Sequence, residues 1–233
     1  IMRDAVDELF ENVSVPFEQA RAMPPSVYTS EDFLKRELSD IFAKDWYCVG
    51  RASSLSQLGA YTTIELAEQP IIVVRDRNGE LKAMSNVCRH RMSTLLEGRG
   101  VTRSIVCPYH AWTYSLDGKL RGAPAMGLND DFCKDDYALP EVRCEEWLGW
   151  VFVTLNPDAA PVAQQLSMVE DLVGEYGMED YTETFFETHV WNTNWKVLAE
   201  NFMESYHLPV CHAGTIGGLS KLEEMVCPPG EPA

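Results

Sequence analysis

Cys88-Arg89-His90 and, after sixteen intervening residues, Cys107-Pro108-Tyr109-His110 place two thiols and two imidazoles on two short loops. Each loop supplies one of each ligand type. A zinc site gathers four ligands on one ion, and its usual runs pair Cys with Cys and His with His. In one type of two-iron, two-sulfur cluster, two histidines bind one iron and two cysteines the other. The mixed halves favour that cluster over zinc. Gly98, Gly100, Pro108 and Gly122-Ala123-Pro124 lie beside these loops and are expected to offer backbone N–H groups to sulfur, which helps set a cluster's potential.

Outward from the two loops the chain reads as short strands separated by turns, from Trp46 to about Asn156. Pro70–Arg75 is a buried strand, and Arg77-Asn78-Gly79-Glu80 is a hairpin turn leading into Leu81–Met84. Ser104–Cys107, Ala111–Ser115 and Gly149–Leu155 are further strands, with Asp117-Gly118 as another turn. Residues 29–45 read as a helix capped by Ser30, with Phe33, Leu34, Leu38, Ile41 and Phe42 as its apolar stripe. Beyond Asn156-Pro157 the pattern predicts a helix over Val162–Tyr176, a strand over Thr182–Asn192 and a helix over Asn194–His207 capped near Asn194. Pro209 is expected to end or kink that last helix.

The last stretch holds a second set of ligand-type side chains. In a continuous helix Glu200, Glu204 and His207 share one face at i, i+4 and i+7. His212 follows His207 by five residues, and the break at Pro209 gives a way to swing it back beside its partner. Two histidines and a carboxylate in facial arrangement, with coordination positions left open, suit a mononuclear ferrous centre that handles dioxygen.

Composition bounds the function. The chain has 233 residues, 19 Lys+Arg against 36 Asp+Glu, and a formal charge of −17. A phosphate backbone needs a basic surface, so nucleic acid is not an expected partner. No run of eighteen apolar residues exists and no signal peptide opens the chain at Ile1-Met2-Arg3-Asp4, so the expectation is a cytoplasmic protein with no membrane span. Cys48, Cys133, Cys144, Cys211 and Cys227 read as free thiols in a reducing compartment. Trp46, Trp147 and Trp150 read as core. His189, alternating with Phe185 and Trp191, reads as structural, and Tyr206 as a packed aromatic. The Gly- and Pro-rich stretch after His212, ending in Pro228-Pro229-Gly230, reads as a loop cut in the middle of a domain.

The first motif, with Trp112 and the loop Leu120-Arg121-Gly122-Ala123-Pro124, resembles the Rieske domain. The respiratory branch of that family carries an extra, disulfide-forming cysteine in each loop. Met92 or Ser93 and Tyr109 hold those places here, so the resemblance is to the oxygenase branch. With Asn194-Trp195-Lys196 opening the second motif, the whole chain resembles the N-terminal part of the large subunit of Rieske non-haem iron oxygenases. The resemblance implies an α+β fold: an all-β antiparallel Rieske domain at 46–157, part of a helix-on-antiparallel-sheet catalytic domain at 158–233, and a helical segment at 1–45 packing on the latter. It implies that Cys88, His90, Cys107 and His110 hold a [2Fe-2S] cluster and that His207 and His212 bind Fe(II). The third iron ligand of the family is an aspartate far downstream of the last residue here.

The resemblance also assigns Glu204 as the bridge from this iron to the Rieske histidine of a neighbouring subunit, reached through His110 or His90. Such transfer requires a head-to-tail ring, and a homotrimer is expected. Electrons would come from NAD(P)H through a flavin/iron-sulfur reductase or a ferredoxin, and the reaction would consume O2. Asn201 hydrogen-bonds near the iron in some relatives. Aspartate is the commoner bridge, and Glu-x-Tyr-His is more similar to the branch that hydroxylates or N-demethylates quaternary ammonium and betaine-type substrates. An aromatic-ring-hydroxylating dioxygenase is the alternative, and a Rieske electron carrier without oxygenase activity is the reading from another class.

Overall fold

Along Pro70–Arg75 the side chains alternate between two hydrophobic clusters, as a strand covered on both faces must. Ile72 and Val74 join Cys88, Cys107, Trp112 and Tyr114 on one side. Ile71 and Val73 join Leu55, Val151 and Val153 on the other. The computed structural model describes residues 4–219; Cys227 and Pro228-Pro229-Gly230 lie outside them. The strands are β1 Tyr47–Arg51, β2 Ala60–Leu66, β3 Gln69–Arg75, β4 Leu81–Ser85, β5 Arg99–Val101, β6 Ile105–Val106, β7 Thr113–Tyr114, β8 Leu120–Gly122, β9 Glu141–Trp147 and β10 Trp150–Thr154. The helices are α1 Ala5–Val13, α2 Ser26–Thr29, α3 Glu31–Glu37, α4 Val162–Gln165, α5 Ser167–Val173, α6 Trp195–Met203 and α7 Leu208–Cys211.

Two compact units result. One spans Lys35–Phe186, and the other is built from the two ends of the chain, up to Leu34 and from Glu187 onward. In the first unit a seven-stranded antiparallel sheet runs in the order β1-β10-β9-β4-β3-β2-β5. A three-stranded sheet, β6-β7-β8, lies on its Ile72/Val74 side. The α+β class and the antiparallel strand module therefore hold as expected. Asp76, buried in the β3–β4 turn, accepts from the N–H groups of Asn78 and Glu80 at 2.8 and 2.9 Å, which fixes the hairpin and its register.

Arg51 is the cation at the centre of this unit. It is 5% exposed, lies 4.7 Å from the Trp150 ring and donates to the carbonyls of Leu148 (3.1 Å), Met178 (2.7 Å) and Tyr181 (2.8 Å). Gly149 sits at φ +74°, and a Cβ there would run into the guanidinium. Arg51→Met should leave those carbonyls without a donor and lower unfolding free energy by about 3 kcal/mol, read from the midpoint of a denaturant transition.

Three expectations are corrected here. The helix capped by Ser30, whose Oγ accepts from the Phe33 N–H at 3.2 Å, is α-helical only to Glu37 and widens into a π turn over Leu38–Phe42. The wider turn changes the spacing of side chains, and Ile41 ends 39% exposed instead of on a buried stripe. Thr182–Asn192 is not a strand. Its alternation is that of a half-buried surface, but no strand pairs with it among the described residues. His189 is accordingly exposed, 3.2 Å from Glu187. The helix predicted to reach His207 stops at Met203.

In the second unit α6 is capped as expected, with Asn194 Oδ1 accepting from the Lys196 N–H at 3.0 Å. The same amide donates to the Tyr28 carbonyl at 3.0 Å, and Tyr28 Oη donates to Glu200 Oε1 at 2.6 Å. That bond, with burial and the charge of Glu200 behind it, pushes the Tyr28 phenol up to about 12. Glu200 therefore faces the N-terminal segment and does not join Glu204 and His207 on a shared helix face.

Candidate metal centres

The two cysteine loops close in the same way. Cys88 N–H donates to the Ser93 carbonyl (2.9 Å) and Cys107 N–H to the Trp112 carbonyl (2.8 Å). The Cys88 carbonyl accepts from Met92 (3.1 Å) and the Cys107 carbonyl from Ala111 (3.0 Å). Met92 and Ala111 both sit at φ +55°, a conformation costly for residues with a Cβ and found where surrounding structure imposes it. The repeat is invisible in the sequence, because Cys-x-His and Cys-x-x-His differ by one residue. It brings the four ligand-type side chains together as a thiol pair and an imidazole pair.

Cys88 and Cys107 are 1% and 2% exposed and belong to the same buried cluster. Burial pushes the Cys107 thiol up, but the N–H groups of Tyr109 and His110, with Cys88 and Ser93, outweigh it and hold the thiol below its ordinary value. The donors to sulfur are thus the residues just after Cys107. Pro108 has no N–H to give, and Gly100 is engaged in pairing with β2. Tyr114, which the sequence reading placed only in a strand, lies 3.4 Å through Oη from Cys88 Sγ and accepts the Arg89 N–H at 3.1 Å. Burial first, then the bond to Cys88, raises its phenol well above the usual value, so Oη–H stays a donor toward sulfur. Hydrogen bonds to sulfur are a lever on cluster potential.

The rings of His90 and His110 lie 4.7 Å apart at 72°. Nδ1 of each is buried and has no hydrogen-bond partner. A buried, unpartnered ring nitrogen is costly unless something binds it, and two of them beside a thiol pair fit a group that takes two nitrogens and two sulfurs. Burial, then His110 and Arg91, lowers the His90 pKa and favours the neutral imidazole that ligates metals. Trp112, 2% exposed, stacks on His90 at 4.8 Å and is walled by Phe132 and Tyr137 at 5.7 and 5.3 Å. Cys88, His90, Cys107 and His110 could therefore hold a [2Fe-2S] cluster, with the aromatic wall fixing one imidazole.

At the second centre the chain leaves α6 at Glu204, which is extended at φ −123° and ψ 154°. Its carboxylate turns forward, accepting from the His207 N–H at 3.2 Å through Oε2 and bonding His207 Nδ1 through Oε1. That hydrogen bond, foremost, holds the Glu204 carboxyl below its usual value. Glu204 thus caps the next helical turn, and Pro209 sits in the first turn of α7, where its missing N–H costs nothing. Pro209 starts a helix and does not terminate one. The turn of α7 returns His212 beside His207, with ring centroids 5.3 Å apart. Gly217 closes the turn by donating to the His212 carbonyl at 2.8 Å, and any Cβ there would overlap the Leu208 carbonyl.

With Nδ1 of His207 engaged by Glu204, Nε2 is its free ligating nitrogen, the usual carboxylate–histidine arrangement of metal sites. Among the described residues no set of three His, Cys, Asp or Glu side chains converges on one ion, so His207 and His212 could supply two ligands and no more. Asn201 is exposed, and Tyr206 is 73% exposed, not packed.

Both stretches of chain match known protein domains. Residues 45–133 match the Rieske [2Fe-2S] domain, and residues 176–225 match the catalytic domain of the ring-hydroxylating alpha subunit. The oxygenase subunit of carnitine monooxygenase from Escherichia coli (strain K12) is 35% identical over 207 residues, 88% of this chain and 55% of that protein. The structure of a quaternary ammonium Rieske monooxygenase, described with insights into inter-subunit electron transfer, superposes with a TM-score of 0.77 at 35% identity, over 82% of this chain and 53% of that one. Naphthalene 1,2-dioxygenase with indole bound superposes with a TM-score of 0.76 at 28% identity, over 87% and 48%. The chain spans about half the length of the relatives it matches. The chain thus carries a Rieske [2Fe-2S] domain followed by part of a ring-hydroxylating alpha-subunit catalytic domain, and it is similar to the oxygenase subunits of quaternary ammonium Rieske monooxygenases.

Proposed function

We propose that the chain belongs to the terminal oxygenase of a two-centre system that hydroxylates or N-demethylates a quaternary ammonium substrate at the expense of O2. The single observation that carries the reading is the Glu204–His207–His212 arrangement in the same chain as a thiol pair and an imidazole pair. A plain electron carrier has no use for the former. When bound, the cluster supplies electrons one at a time and the ferrous ion supplies a site where dioxygen is reduced beside the substrate. The protein's part is to hold these groups. Cys88 and Cys107 would hold one iron of the cluster, and His90 and His110, whose Nδ1 atoms are buried without a partner, would hold the other. Glu204 keeps a proton on Nδ1 of His207 and so aims Nε2.

In this proposal Glu204 also connects the iron to the Rieske histidine of a neighbouring subunit in a homotrimer, and electrons arrive from NAD(P)H through a flavin/iron-sulfur reductase. The boundaries 46–157 for the Rieske domain, 158–233 for the catalytic part and 1–45 for a segment packing on it belong to the same proposal. Among the described residues no helix is long and apolar enough to cross a membrane. The quaternary ammonium reading is favoured over aromatic hydroxylation by 35% identity against 28% and by glutamate at the bridging position.

Purified full-length protein should carry three irons per chain. With a reductase and NADH it should consume O2 in the presence of L-carnitine or glycine betaine. Two irons per chain would sink the oxygenase reading, and turnover with aromatic acids alone would sink the substrate class.

A further inference from the structure

The Lys35–Phe186 unit carries a broad depression lined by Arg77, Arg103, Arg121, Leu116 and Tyr114. A second hollow shares Arg77, Arg103 and Leu116 with it and adds Leu58 and Val101. All three arginines are exposed, and none pairs with a carboxylate among the described residues. Arg77 and Arg103 make no side-chain hydrogen bond among the described residues either, and Arg121 donates through Nε to Ser115 Oγ at 3.1 Å. The two acidic groups in the depression are engaged. Asp76 is buried in its turn, and Asp117 bonds Ser115. Leu58 and Val101 are 56% and 55% exposed. Exposed apolar side chains beside exposed guanidinium groups, spread over two neighbouring open hollows, suit a protein surface better than an enclosed ligand.

Charge decides the partner. The chain carries 36 acidic against 19 basic side chains, so an acidic protein is repelled by most of its surface, and a local cluster of free arginines fixes where it can land. A second observation ties this surface to the cluster. Tyr114 floors the depression, and its hydroxyl reaches Cys88 Sγ at 3.4 Å. We propose that the Arg77/Arg103/Arg121 surface docks the acidic face of the one-electron donor, so that the electron enters on the Tyr114–Cys88 side of the cluster. The step moves one electron from the donor's reduced [2Fe-2S] cluster to the oxidised Rieske cluster, and no atom is transferred. The proposal rests on the reading of Cys88, His90, Cys107 and His110 as cluster ligands.

The probe is an acidic plant-type [2Fe-2S] ferredoxin, whose potential lies below that of Rieske centres so that transfer runs downhill. Full-length oxygenase with R77E and R103E together is mixed with the reduced ferredoxin, and bleaching of the Rieske absorption is followed by stopped flow. At low salt the second-order rate should fall by at least about 10-fold, while reduction by dithionite is unchanged. The R77K/R103K pair should stay within about twofold of wild type, since it keeps the charge. The wild-type rate should fall with added salt and the reversed variant's rate should not. An unchanged rate with ferredoxin, or an equal slowing with dithionite, overturns the docking surface and leaves the cluster assignment standing. Wild-type protein without a Rieske spectrum would overturn both.

Discussion

A Cys107→Ser variant is expected to lose the visible absorption of the cluster and two of its irons, and its turnover should drop by more than about 100-fold, beyond what losing a supporting partner of a metal ligand costs. The thiolate is the ligand, and this thiol is pre-tuned for the role. It is 2% exposed, yet the N–H groups of Tyr109 and His110 hold its pKa down against the burial that pushes it up. A serine hydroxyl in the same pocket does not ionise, so one iron keeps a single sulfur ligand from the protein. Cluster binding would also contribute folding free energy, because its ligands would come from both loops. The variant should therefore melt at lower temperature. Cys133→Ser, at an exposed thiol, is the control and should match wild type in colour, iron content and melting. A Cys107→Ser protein that kept both cluster irons would refute the ligand assignment.

The sequence was most readable where a residue's role depends on its immediate neighbours. Pro70–Arg75 announces a strand covered on both faces because six residues suffice to show two apolar faces, and Arg77-Asn78-Gly79-Glu80 announces its turn. The cysteine–histidine loops were legible as ligands because the residue types are rare in such spacing. Their shared closure was not, since Met92 and Ala111 carry no signature of the left-handed conformation. Thr182–Asn192 failed for a different reason: alternation says that two faces differ, but a strand also needs a partner, and partnership is not written in the segment itself. The end of α6 failed because Glu204 is a good helix former by propensity. Its carboxylate gains more by capping the following turn at the His207 N–H and bonding Nδ1 than by continuing the helix. Glu200, one turn earlier, went to Tyr28 for a similarly tertiary reason.

Replacing Glu204 by glutamine should separate the two centres without emptying either. Glutamine keeps the length and shape of the side chain and can still accept one hydrogen bond through its amide oxygen, so the cap on the His207 N–H and the fold of α7 should survive. It removes the negative charge that makes the bond to Nδ1 charge-assisted, and its NH2 end cannot accept a proton from an imidazole. His207 then loses the partner that fixes its tautomer and aims Nε2. Such losses cost about 10- to 100-fold in metal affinity or activity. The expected result is a protein with an unchanged Rieske spectrum and unchanged dithionite reduction whose substrate-dependent O2 consumption falls by at least that range. Single-turnover experiments locate the fault. In the variant, reduced clusters should stay reduced for far longer after O2 and substrate are added, because electrons have a source and a sink but a weakened connection between them. Glu204→Asp keeps the charge on a shorter arm and should recover part of the rate, whereas Glu204→Ala should not. If Glu204→Gln reoxidises its cluster as fast as wild type, the carboxylate is only a helix cap, and the path between the centres must be sought elsewhere.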